Sequence, residues 1–207
     1  MITKNELIEK IVSIEWEMFD EVNEGKARAN CQEDRTTFEG MRKAQFIEWS
    51  LPVVSSYLDD LETARSSGRN LVEEKYIHMM KGTEPEMYAL LLSRVLPPSE
   101  AGFALAREIS ETLLEQMRVL FECYPHVAGQ GRPLYSAYDH TGVSVETYQF
   151  GELLTYSEKT LAMLKEHITG LEQEGISLAR NILEATVMFY GYSSLDSAEA
   201  VMKEIKI

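Results

Sequence analysis

WSLPVVSSYLDDLETARSSGRNL, residues 49–71, and YSEKTLAMLKEHITGLEQEGISL, residues 156–178, are the two stretches on which the fold turns. Each opens with an aromatic residue and a serine (Trp49-Ser50, Tyr156-Ser157), and each runs 18 residues from that serine to a glycine, Gly68 or Gly175. A new helix then begins on Asn70-Leu71 or Ser177-Leu178. Serine and asparagine accept hydrogen bonds from free N–H groups at a helix start, and glycine ends a helix because it adopts a left-handed backbone without penalty. Pro52 fits the first turn of a helix capped by Ser50 and implies a bend there. Upstream, Gly25-Lys26-Ala27-Arg28 parallels Gly129-Gln130-Gly131-Arg132, each after a helix end bearing Phe19 or Phe121. This order and spacing predict two diverged copies of one helical unit: helix, long loop, helix, bent helix, short helix. The units cover about residues 3–82 and 99–191, with a connecting helix near 84–95, in one all-α domain spanning 1–207.

The rest of the chain agrees with an all-α class. Thr3-x-x-Glu6, Thr36-x-x-Glu39, Asn70-x-x-Glu73 and Thr83-x-x-Glu86 read as helix starts, three of them as capping boxes. Apolar residues recur at helical spacing, as in Leu7, Ile11, Ile14, Met18 and Val22, or Leu105, Ile109, Leu113, Met117 and Leu120. Gly68, Gly82, Gly175, Gly191 and Pro97-Pro98 read as stops. No segment alternates with period two for long, so no sheet is expected.

With 44% hydrophobic and 26% charged residues, the chain has ordinary globular composition and can bury a core. Its net charge of −14 repels phosphate backbones and anionic headgroups, which argues against nucleic acid and membrane partners. Two distant cysteines, Cys31 and Cys123, exclude a disulfide or Cys-rich zinc framework. The first residues read as a helix cap rather than a signal peptide, and the longest apolar run noted is Ala89–Leu92. A cytoplasmic location is the expectation.

Several chemistries lack their motif. There is no P-loop, no dinucleotide fingerprint at Gly129-Gln130-Gly131, no His-Glu-x-x-His and no Gly-x-Ser-x-Gly elbow. No metal and no cofactor is expected; Glu74 and His78 share a helix face but read as a surface pair. What stands out is polar residues inside apolar stripes. Glu15 sits one turn from Ile11 and Phe19, where a carboxylate is costly unless paired. The stripe Phe38, Met41, Gln45, Trp49 aligns with Val145, Tyr148, Glu152, Tyr156, which puts Gln45 and Glu152 at equivalent inward positions, with Arg42 one turn before Gln45. As a structural network, Glu15 and Glu152 pair with Arg28, Arg42 or Arg132 and hold the long loops down. As a functional site, Arg28 and Arg132, on loops at about 23–35 and 125–143, meet in a cleft between the copies and clamp an anion. Cys31 reads as an inert thiol before it reads as a nucleophile, and Asp139-His140 as a loop pair before a general base. The aromatic residues Trp16, Trp49, Tyr57, Tyr76, Tyr148 and Tyr156 read as core.

The segments Glu15–Phe19, Arg28-Ala29-Asn30-Cys31-Gln32, Gly68–Leu71 with Lys75-Tyr76, and Gly151–Ser157 resemble an uncharacterised bacterial domain-of-unknown-function family (DUF 4125). The resemblance covers nearly the whole chain but implies no chemistry. Fusion of some relatives to a nucleotidyltransferase-like domain hints at nucleotide metabolism by association alone. Lys26 replaces a glycine typical of the family ahead of the Arg-Ala-x-Cys-Gln stretch.

The function expected from these residues is a binding module taking a small anionic ligand or a partner's peptide segment between the two units. An enzyme using Glu15 or Glu152 as acid or base, and a structural protein-interaction module, are the alternatives. Oligomeric state is not legible.

Overall fold

Serine, threonine, aspartate and asparagine caps start most of the helices, and glycine turns end three of them. The structure, a computed structural model, describes residues 2–22 and 33–205. Among these it contains α-helices and short 3-10 turns and no strand. The first four helices are α1 (Lys4–Glu21), α2 (Arg35–Phe46), α3 (Leu51–Ser66) and α4 (Leu71–Thr83). A short α5 (Pro85–Leu91) and a 3-10 turn (Leu92–Arg94) lead to the long α6 (Glu100–Cys123). Then come α7 (Pro125–Ala128), a second 3-10 turn (Ser136–Thr141), α8 (Val145–Leu153), α9 (Glu158–Gln173), α10 (Leu178–Phe189) and α11 (Leu195–Glu204).

Local chemistry explains the boundaries. Thr3 and Glu6 form a reciprocal capping box on α1. Ser157 caps α9 through the Thr160 N–H, and Asn70 caps α4 through Glu73. Gly68 and Gly175 take φ values of +71° and +73°, where a side chain would strain the backbone. Both close a two-bond Schellman turn: Arg69 N–H reaches the Ala64 carbonyl and Ile176 N–H the Leu171 carbonyl, each at 2.8 Å.

Some boundaries differ from the sequence expectation. Asp34, not Thr36, caps α2 through the Thr37 N–H, since an aspartate two residues earlier offers the better acceptor. Thr83 ends α4 instead of starting a helix, because its hydroxyl turns back to the Met79 carbonyl and Pro85 takes the first turn of α5. Gly82 lies inside α4 rather than at a stop. Helix α11 follows Gly191 and was not foreseen.

The main core gathers Ile8, Ile11 and Val12 of α1, Phe46, Tyr57 and Leu61 around α2 and α3, and Ile109, Leu161, Leu164 and Leu178 of the later helices. Helix α1 packs on α2, α3 and α4, while α6 packs on α8, α9 and α10. Helix α3 packs on α9, α4 on α8, and α10 on α2. Between α3 and α9, Ser56 and Thr160 share a 2.8 Å hydroxyl hydrogen bond. This arrangement brings polar residues of five elements to one buried point.

Candidate functional site

Glu15 lies mid-way along α1 on its apolar stripe, so packing that stripe carries its carboxylate inside, where only 2% of the residue is exposed. Facing it, α2 presents Arg42 and, one turn on, Gln45. Arg42 donates Nε–H to Glu15 Oε2 at 2.7 Å and Nη2–H to Oε1 at 2.5 Å, a bidentate fork. Its Nη groups also reach Glu152 at the end of α8, at 3.0–3.2 Å, and Nη1 donates to Gln45 Oε1 at 2.9 Å. The five N–H groups of a guanidinium are thereby all engaged inside the protein.

Glu152 is held as fully. Lys75 of α4 donates to its Oε2 at 2.7 Å, and Tyr156 Oη donates to its Oε1 at 2.6 Å. Gln45 Nε2 adds a bond at 3.2 Å, and Tyr57 Oη donates to Glu15 at 2.7 Å. Two buried carboxylates meet two buried cations, so the cluster carries no net charge. Burial pushes Glu152 toward protonation, but the charges of Arg42 and Lys75 and the bonds from Lys75 and Tyr156 outweigh it and hold the carboxyl well below its usual range. Burial, then the neighbouring carboxylates, keeps Tyr57 and Tyr156 protonated as donors. The network is an internal brace. Each N–H group of Arg42 and each oxygen of the two carboxylates has a partner inside the protein.

Of the residues singled out in the sequence, Glu15, Arg42, Gln45 and Glu152 therefore converge. Arg28 and Cys31 lie outside the described residues. Arg132 does not reach either carboxylate: it is exposed, lies 4.4 Å over the Tyr148 ring and donates to the Val143 carbonyl at 3.1 Å. Lys75 occupies the near side of Glu152 in its stead, with its own Nζ 3.7 Å from the same ring. Lys75 is the residue sequence reasoning missed. Its spacing of one turn from Leu71 and from Met79 on α4 was the same signal that marked Glu15 on α1.

Other expectations are settled by geometry. Glu74 is buried against Arg69 at 2.7–2.8 Å rather than forming a surface pair with His78, whose imidazole burial pushes down to about 4. Asp139 accepts from Ser144 N–H and Thr147 Oγ1, both at 2.7 Å, and so pins the second loop rather than activating His140. Cys123 is exposed. Among the described residues no group of His, Cys, Asp or Glu is placed to hold a metal ion, and no helix is long and apolar enough to cross a membrane.

The fold and the brace define an all-helical domain organised around one buried ion network. The chain belongs to the family described as protein of unknown function (DUF4125), whose model matches residues 5–200. No curated protein and no solved structure matches it.

Proposed function

We propose that the chain is a duplicated helical binding module, with the buried ions as its brace and the second long loop, residues 129–144, as its recognition surface. The duplication is supported by the pairwise packing: α1 with α2, α3 and α4 answers α6 with α8, α9 and α10, and α4 on α8 answers α10 on α2. The turn Gln45–Trp49 uses the same two bonds as Glu152–Tyr156, and Trp49 and Tyr156 touch edge to face at 6.0 Å. On this alignment Gln149, bonded to Ser110, is the uncharged counterpart of Arg42 bonded to Glu15.

One observation carries the choice of binding over catalysis: every donor of Arg42 is consumed internally, leaving Glu15 and Glu152 paired rather than available as acid or base. The loop is built the opposite way. Val145 and Glu146 N–H groups bond the Pro133 and Leu134 carbonyls at 2.8 and 3.1 Å, and Glu146 accepts from Ser136 N–H at 2.7 Å. On this fixed backbone Tyr135 and Tyr138 stand 39% and 54% exposed, and Arg132 of the same loop is exposed as well. Tyrosine and arginine on a preorganised loop are the side chains that binding surfaces favour. The ligand is a small anionic molecule or a peptide segment of a protein partner; the net charge of −14 disfavours nucleic acid.

The test is a thermal-shift panel of carboxylates, phosphates, nucleotides and short peptides with and without acidic side chains, on the wild type and on Tyr135→Ser/Tyr138→Ser. The reading predicts a stabilising ligand whose effect the double variant loses, with the ligand-free Tm unchanged. A stabilising ligand bound equally by the variant, or a panel in which nothing stabilises the wild type, would overturn it.

A further inference from the structure

Arg42 and Arg132 use their donors in opposite ways. Arg42 places five N–H groups on internal acceptors, whereas Arg132 places one, on the Val143 carbonyl, and no carboxylate among the described residues pairs with it. The Arg132 guanidinium carbon lies 4.4 Å from the centre of the Tyr148 ring, and the residue is exposed to solvent. The supporting ring is itself held. Lys75 Nζ lies 3.7 Å from its centre and is tied to Glu152, so Tyr148 is seated on the brace. The backbone around Arg132 is fixed as well, by Asp139 and by the paired segments 133–134 and 145–146. A cation held by one hydrogen bond and an aromatic ring, with donors to spare, loses less side-chain freedom on binding than an unsupported surface arginine.

We infer that Arg132 is an oxyanion-binding residue that takes a carboxylate edge-on at the rim of Tyr148. The inference rests on the reading of loop 129–144 as the recognition surface. The planar fork suits carboxylate and phosphate alike, but a chain of net charge −14 penalises a dianion more than a singly charged group. The ligand class is therefore a monocarboxylate on an otherwise neutral or basic molecule, such as an acidic side chain in a peptide segment. Tyr148 acts as the positioning residue: it touches the cation, not the ligand.

The experiment follows the arginine Nε–H resonances of ¹⁵N-labelled protein during titration with N-acetylaspartate N-methylamide, and separately with inorganic phosphate. The Arg132 resonance is expected to shift along a saturating curve with the carboxylate, while that of the exposed, unbonded Arg107 drifts linearly. Tyr148→Phe retains the saturation, and Tyr148→Leu weakens it by roughly three-fold. Arg132 drifting together with Arg107 overturns the site, and saturation by phosphate alone overturns the carboxylate assignment. A ligand from the thermal panel that still depends on Tyr135 and Tyr138 while Arg132 drifts would remove this site and leave the recognition loop standing.

Discussion

Replacing Glu152 by alanine breaks the brace at its most connected point. The substitution removes the acceptor of Lys75 at 2.7 Å, of Tyr156 at 2.6 Å and of one side of the Arg42 fork at 3.0–3.2 Å. Lys75 and Arg42 are only 7% and 9% exposed, so water does not replace what they lose. One buried carboxylate, Glu15, would then face two buried cations. Removing one partner of a buried ion pair costs about 3–5 kcal/mol, because the remaining charge stays desolvated. For a chain of this size that lowers Tm by about 6–20 °C, at roughly 2–4 °C per kcal/mol. Urea unfolding followed by circular dichroism measures the loss, with an unchanged m-value as the check that the unfolding unit is the same. Removing the pair together, as Glu152→Leu with Lys75→Met, leaves no orphaned ammonium and should recover most of it. A loss under about 1 kcal/mol for Glu152→Ala, or a double variant weaker than the single one, would refute the reasoning.

Three further outcomes follow from the same geometry. Because the Glu152 carboxyl is held below its unfolded value of 4.5, its contribution is complete above that pH and is lost as pH falls below it; Glu152→Gln should flatten that acid limb in urea titrations run between pH 6 and 3. Gly151→Ala should destabilise by about 1–3 kcal/mol in chemical unfolding despite the better helix former, since the new Cβ would lie 2.9 Å from Met79 Cγ and 3.1 Å from the Lys75 carbonyl and force α8 off α4. Gly68→Ala and Gly175→Ala should each lose about 1–2 kcal/mol by the same assay, and by similar amounts, because both glycines close the same left-handed turn with open space around them.

Much of the fold was legible because helix ends are local. Thr3, Asn70, Gly68 and Gly175 act on their own backbone neighbours, and the sequence reading placed them correctly. The exceptions were local competitions. Asp34 outbid Thr36 as a cap, and Pro85 claimed the helix start that Thr83-x-x-Glu86 had suggested. The buried charges were half legible. A carboxylate inside an apolar stripe reports that it must be paired, which marked Glu15 and Glu152, but the stripe does not say with what. Arg42 of α2 reaches Glu152 across 110 positions of sequence and Lys75 across 77, and the second pair meets only because α4 packs on α8. Arg132 was expected among them because its loop matches that of Arg28. In the fold the Tyr148 ring takes the guanidinium at the surface instead, while Lys75 fills the buried position.

Side-by-side urea unfolding of Arg42→Lys and Arg132→Lys tests most directly that one arginine is a brace and the other a surface residue. Lysine keeps the charge at both places but cannot form the two-sided fork that joins Glu15 to Glu152. The account predicts a loss of about 2 kcal/mol or more for Arg42→Lys, and a change within about 0.5 kcal/mol for Arg132→Lys. Equal losses, or the larger one at Arg132, would contradict it.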